Sequence, residues 1–232
     1  NEGKQAFWHS SAHILAQTIK FFYPKSKLTI GPSIENGFYY DVDFNGDNIS
    51  EKDFQKIEAK FLEFARTDSQ FIMKSMSKDE AIDFYKREDN QYKVELIQGL
   101  DDGTITFCDH SNFSDLCRGG HIPSTGIVKA VKLLNIAGAY WRGDEKNNQL
   151  TRIYGISFPK QKLLTEYLEL VEKAKERDHR KLGKELELLS QRKLDKDSHS
   201  GYLKELNLEI VYKDFLKMPK KRQDIKKWCH LI

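Results

Sequence analysis

Two histidines four positions apart, His9 and His13, stand in the stretch Phe7-Trp8-His9-Ser10-Ser11-Ala12-His13. A second reactive cluster stands at Asp115-Leu116-Cys117-Arg118-Gly119-Gly120-His121. Imidazole titrates near neutrality, and a thiol becomes a thiolate beside a cationic partner, so these groups can bind a water and move its protons. His9, His13, Cys117 and His121 are equally a set of borderline-soft ligands suited to tetrahedral zinc. Either chemistry supports hydrolysis, and Asp115 adds a carboxylate that can orient a ring or a substrate amine. Taken singly, each cluster also has a plainer reading: two surface or cap histidines, and a buried apolar thiol beside a loop hydrogen-bonder.

The elements that must position these groups follow from periodicity. Over residues 8–22, Trp8, Ala12, Leu15, Ala16, Ile19 and Phe22 recur at steps of three and four, predicting an amphipathic helix closed by Pro24, with His9 and His13 on one face. Residues 28–44 carry β-branched and aromatic runs broken by Gly31-Pro32 and Asn36-Gly37, predicting strands joined by turns. There Tyr39 and Tyr40 point to opposite faces, so one can line a pocket while the other packs. Ser50 caps a helix with a core stripe through Phe54, Ile57, Phe61 and Ala65, and Ser77 caps a shorter one ending near Arg87. Residues 71–76, 92–97 and 104–108 read as strands.

Residues 113–126 are poor in apolar periodicity and rich in Gly, Ser, Asp and His, so they read as a loop, where chemistry is usually carried. Gly119 and Gly120 permit a tight turn that brings Cys117 and His121 to one side. Residues 127–136, 138–144 and 150–158 read as strands around a polar turn at Lys146-Asn147-Asn148. Their aromatics could stack on nucleic acid, but at strand spacing they suit a core. A long helical pattern then runs from Lys160 to about Leu189, its second half charged like a solvated linker.

With 38 Lys and Arg against 35 Asp and Glu, the formal charge of +3 gives no global argument for a polyanionic partner. Three cysteines, no secretory leader and no apolar run of membrane-span length point to a reducing, cytoplasmic setting without a membrane. The first residue is Asn1 rather than Met and a helical pattern already begins at Phe7, so the chain reads as a fragment of a longer protein.

Taken together, four motifs in order resemble the editing, or second additional, domain of bacterial threonyl-tRNA synthetases over residues 7–189. They are the His-x-x-x-His helix, the segment from Gly31-Pro32 through Asn36-Gly37-Phe38-Tyr39-Tyr40-Asp41, the Asp-x-Cys-Arg-Gly-x-His loop, and Ala137-Gly138-Ala139-Tyr140-Trp141-Arg142-Gly143-Asp144. The family usually has Pro where this chain has Gly120, which alters loop stiffness but spares the reactive side chains. The resemblance implies an α+β fold with a mostly antiparallel sheet and packed helices over residues 1–172. It also implies a linker helix over 173–190 toward a missing aminoacylation core.

The activity implied is hydrolysis of serine wrongly joined to tRNA(Thr). A missing methylene-sized contact is worth only ~1–3 kcal/mol, so a synthetic site rejects serine poorly and a second, hydrolytic site is needed. By the resemblance, His9 or His13 orients or deprotonates a water, Cys117 and His121 complete the water site, and Asp115 holds the seryl amine or hydroxyl. Lys93 stabilises developing charge, and Tyr40 bounds the amino-acid side chain. No cofactor is required for editing and no ATP is expected, because the aminoacylation motifs are absent. Zinc on His9, His13, Cys117 and His121 stays open. The implied partner is the acceptor end of tRNA(Thr) carrying serine, in a parent enzyme that dimerises through its core. Rival readings are a free-standing alanyl-type editing factor and a zinc-stabilised RNA-binding module without catalysis.

Past Leu189 the resemblance stops, where the family continues into a Leu-Pro-Phe-Trp-Leu-Pro-Lys-Gly segment. Back-translated from the last base of the Lys193 codon, residues 193–205 admit the reading Ala-Gly-Gln-Gly-Leu-Pro-Phe-Trp-Leu-Pro-Lys-Gly. Residues 191–232 are therefore expected to be a frameshifted tail with no selected fold, and the basic run Lys220-Lys221-Arg222 is discounted as an RNA patch.

Overall fold

The computed structural model describes residues 2–176. Helix α1 spans Glu2–Phe22, and every residue from Ser10 to Ile19 is buried. The amphipathic reading of this helix is thereby corrected: its middle is enclosed on all sides. The hydroxyls that made one face look polar are spent on the helix itself. Ser10, Ser11 and Thr18 donate to the carbonyls of Ala6, Phe7 and Ile14 at 2.8, 3.0 and 2.8 Å. With its polar groups satisfied and small side chains at Ser10, Ser11, Ala12 and Ala16, α1 can run through the interior.

Around α1 lies a five-stranded antiparallel sheet of β1 (Lys27–Leu28), β2 (Ser33–Ile34), β3 (Gly37–Asp43), β7 (Ala130–Tyr140) and β8 (Gln149–Phe158). The path is β1-β3-β8-β7, with β2 paired to β3. Register Tyr40↔Ile153 sets both residues facing the core, while Tyr39↔Tyr154 faces away. Strand β7 is continuous through the predicted break near Ala137 and instead bulges between Leu133 and Asn135. Helix α2 (Phe54–Arg66) buries Phe54, Ile57, Phe61 and Ala65 in the same core, and a turn at Ser50 leads into it, whose amide donates to Asp53 at 2.9 Å.

A second sheet, β4 (Ile72–Ser75), β5 (Thr106–His110) and β6 (Phe113–Leu116), is also antiparallel. Helices α3 (Lys78–Arg87) and α4 (Gln91–Gln98) cover it through Ala81, Tyr85, Ile97, Ile105 and Phe107. Two expectations change here. Residues 92–97 form helix, because the Asn90 side chain caps α4 at the Lys93 amide (3.3 Å) and Tyr92 and Ile97 are buried in two different clusters, which helical spacing reaches. The alternation that suggested a strand is too short to separate periods of 2 and 3.6. Residues 113–116, read as loop, pair with β5 in register Cys108↔Asp115, which fixes Asp115 on a strand.

Helix α5 (Gln161–Glu176) contains the predicted helical start. The remainder of the expected linker and the expected frameshifted tail lie outside the described residues. The α+β class with antiparallel sheets agrees with the expectation.

Candidate active site

The two predicted clusters meet. Cys117 Sγ lies 3.0 Å from His9 Nε2 and 3.0 Å from His121 Nε2, and the ligating atoms of His9, His13, Cys117 and His121 all fall within 4.8 Å of one another. The loop after β6 makes this geometry: Gly119 and Gly120 take φ of +95° and +81°, a region unfavourable to residues with a Cβ, and reverse the chain within four residues. Proline, with φ near −65°, cannot adopt the Gly120 conformation. The Gly119 amide donates to the Cys117 sulfur at 3.3 Å.

Ser10, absent from the predicted set, positions this loop from α1. Its Oγ sits 3.1 Å from His121 Nδ1 and accepts from the Ile122 amide at 3.1 Å. Phe71 stacks on the other side of His121 at 5.0 Å and 10°. Serine beside histidine at the start of a helix carried no signal that could have marked it.

Asp115 is the second centre. Its Oδ1 is 2.7 Å from Lys93 Nζ and accepts from Tyr85 Oη at 2.9 Å, and its Oδ2 accepts from Tyr40 Oη at 2.6 Å. His13 Nδ1 lies 3.9 Å from Oδ2, beyond hydrogen-bond reach. Asp115, Lys93 and His13 are each only 3–4% exposed, so the charge pair is sealed from water on the protein side. Tyr85 is absent from the predicted set; its spacing from Ala81 suits a core stripe and hides its hydroxyl's role. Tyr39, on the opposite face from Tyr40, packs under the Arg152 guanidinium at 3.9 Å.

A cavity of about 750 Å³ opens onto both centres. Its lining includes His9, His13, Tyr40, Lys93, Asp115 and Cys117 together with the apolar Ile30, Pro32, Leu96 and Leu100. Gly31 lines it too; a Cβ there would overlap the Tyr40 ring, so glycine is what lets Tyr40 reach Asp115. All seven predicted site residues thus border one cluster, with His121 behind Cys117.

Burial dominates the electrostatics. It lowers His9 below the ordinary histidine value, and it holds His13 well below that value with help from the neighbouring imidazoles. His121 is pushed down to about 4 by burial and by His9. Burial raises the Cys117 thiol, and raises Tyr40 well above its usual range, with the Asp115 charge adding to the effect. Near pH 7 the site therefore offers neutral imidazoles, a thiol and a phenol: bases and hydrogen-bond donors around one buried ion pair.

Residues 105–154 match the family model described as the threonyl and alanyl tRNA synthetase second additional domain. That model and the curated threonine-tRNA ligases below both cover the N-terminal region of the chain. Over 189 residues, 82% of this chain and 29% of the relative, it is 67% identical to a threonine-tRNA ligase of Flavobacterium johnsoniae and 64% to one of Flavobacterium psychrophilum. A threonine-tRNA ligase of Azobacteroides pseudotrichonymphae is 47% identical over 223 residues, covering 95% of this chain and 34% of the relative. The chain thus spans about a third or less of the curated relatives it matches. Among the described residues no helix is long and apolar enough to cross a membrane.

Proposed function

We propose that residues 1–172 are an editing domain that hydrolyses the ester of seryl-tRNA(Thr). The observation that carries this reading is the convergence of neutral His9 and His13 with Cys117 in the lining of the same cavity as the Lys93–Asp115 pair. A water held by His9 or His13 loses its proton to a neutral imidazole as it attacks the seryl carbonyl. Lys93 directs its remaining N–H bonds at the oxyanion, since one of its three protons serves Asp115. Asp115 Oδ2, bonded by Tyr40 alone, has acceptor capacity left for the seryl amine or hydroxyl. The proton taken by histidine then passes to the ribose oxygen as the ester bond breaks, releasing serine and the free tRNA end. Threonine's additional methyl group meets the Tyr40 side of the pocket and displaces the water or the ester.

The donor set also fits zinc: three imidazoles and one sulfur spread over no more than 4.8 Å suit a tetrahedron with edges of roughly 3.3–3.6 Å. Zinc bound there by His9, His13, Cys117 and His121 would supply Lewis acidity or, with all four coordinated, structural rigidity.

Residues 173–190 are proposed as the linker helix to an aminoacylation core, and 191–232 as a frameshifted continuation of the same gene. Sequencing the encoding DNA tests the latter: another frame that lacks a continuing open reading would reject it, and the 223-residue match makes this check necessary. The domain is expected to work in the cytoplasm on tRNA(Thr), and to need no ATP. Incubation of the chain with seryl-tRNA(Thr) and threonyl-tRNA(Thr) tests the central reading. Selective serine release is expected. Inert binding would favour an RNA-binding module, and release from alanyl-type tRNA alone would favour an alanyl-type editing factor.

A further inference from the structure

We propose that His110 and Gln17 are positioning residues for His13, acting through one bridging water between α1 and the β5–β6 hairpin; this rests on the editing reading above. Four buried polar atoms have no hydrogen-bond partner in this region: His13 Nδ1, Gln17 Oε1, and both ring nitrogens of His110. His13 and Gln17 lie one turn apart on α1, hence on the same side of it. Gln17 is tied to the hairpin turn by the bond from its Nε2 to Asn112 Oδ1 at 2.8 Å, two residues beyond His110. The His110 ring stands perpendicular to that of His13 at 6.3 Å between centroids, too far for a direct bond and close enough for one small molecule to bridge.

The neighbouring side chains make histidine an unexpected choice at 110. Phe71 and Phe113 flank its ring at 4.9 and 5.4 Å, and the residue is 2% exposed. A phenyl ring suits such surroundings without the desolvation of two ring nitrogens, whereas an imidazole needs polar partners. One water pairs three of the four unpartnered atoms, leaving the protonated ring nitrogen of His110 over. It accepts from His13 Nδ1–H and donates one hydrogen to Gln17 Oε1 and the other to the unprotonated nitrogen of His110, giving it three bonds. Such a bond at Nδ1 puts the His13 proton there and leaves Nε2 as the acceptor that takes a proton from the attacking water. No proton is consumed or released by this arrangement; it selects a tautomer and holds a ring.

The test combines kinetics with ring-nitrogen NMR on the full chain labelled with ¹⁵N-histidine. In the unsubstituted protein His13 is expected as a single Nδ1–H tautomer. His110→Phe and Gln17→Leu should each mix the tautomers and lower kcat for seryl-tRNA(Thr) by about 10- to 100-fold with KM unchanged. His110→Gln, which can both donate and accept, should recover part of the rate. Thermal unfolding of His110→Phe should come at no lower temperature than that of the parent, so that a slow variant is a folded one. A single Nδ1–H tautomer retained in both His110→Phe and Gln17→Leu, or undiminished kcat in both, would overturn the proposal. If the unsubstituted protein releases no serine, the editing reading fails instead, and the tautomer measurement still decides whether His110 and Gln17 position His13.

Discussion

Lys93 Nζ lies 2.7 Å from Asp115 Oδ1, with both side chains at 3–4% exposure, so each charge depends on the other. Removing one partner of such a pair strands the second in a poorly solvated place, at a cost of about 3–5 kcal/mol. Lys93→Met is therefore expected to destabilise the domain by that amount, read by urea unfolding at pH 7, and to abolish serine release. Adding Asp115→Asn should restore most of the stability, because the amide oxygen still accepts from Tyr40 or Tyr85 and no unpaired charge remains. A double variant no more stable than Lys93→Met would show that the loss comes from packing around the lysine stem.

How Lys93 reaches this pair shows what could be read beforehand. His9, His13, Asp115, Cys117 and His121 carried their chemistry in their types and motif spacing, whereas Lys93 and the role of Tyr40 came only through the family resemblance. The elements around them were less legible where local signals compete. Six residues of α4 alternate by chance, and only the Asn90 cap and the burial of Tyr92 with Ile97 decide for helix. Residues 113–116 lack an apolar stripe because Asp115 faces inward to Tyr40, Tyr85 and Lys93, so a buried strand looked like loop. Ser10 and Tyr85 support the site through long-range hydrogen bonds and Gly31 through mere absence of bulk, which no one-dimensional pattern records.

Gly31 supports the cavity by having no side chain. A Cβ at this position overlaps the Tyr40 ring, and the ring is held by the bond of its hydroxyl to Asp115 at 2.6 Å. Gly31→Ala should force the ring out of that bond and cost about 1–3 kcal/mol, as other overpacked cores do. Serine release should fall with it, and selectivity against threonine should weaken because the wall of the pocket has moved. The checks are unfolding together with paired seryl- and threonyl-tRNA(Thr) deacylation. Full stability and unaltered selectivity would mean that Tyr40 does not bound the amino-acid side chain.

His110 makes an acid limb predictable. Burial pushes it down to about 4 from 6.5, so as pH falls the unfolded chain takes up the proton first. The contribution is nil well above pH 6.5, and the folded state loses stability as pH drops from about 6.5 toward 4. A shift of this size corresponds to about 3 kcal/mol. His110→Phe should remove that slope, leaving a flatter profile between pH 7 and 4.5 in urea unfolding with chelator present. Equal slopes in the two proteins would place the acid sensitivity on other groups, His121 first among them.

Zinc and the water-activating imidazoles compete for the same electron pairs. A His9 or His13 nitrogen that coordinates an ion cannot take a proton from the attacking water, and a coordinated Cys117 must give up its proton although burial favours the thiol. If His9 and His13 act as bases, zinc added to chelator-treated protein should slow serine release as it binds with one-to-one stoichiometry, and chelator should restore the rate. Cys117→Ser should weaken zinc binding and shift inhibition to higher zinc concentrations, since a hydroxyl is a poorer zinc ligand than a thiolate. Metal content of the purified chain and deacylation rates across a zinc titration supply the measurements. A rise in rate that saturates at one equivalent of zinc would reject the imidazoles as proton acceptors and assign water activation to the metal.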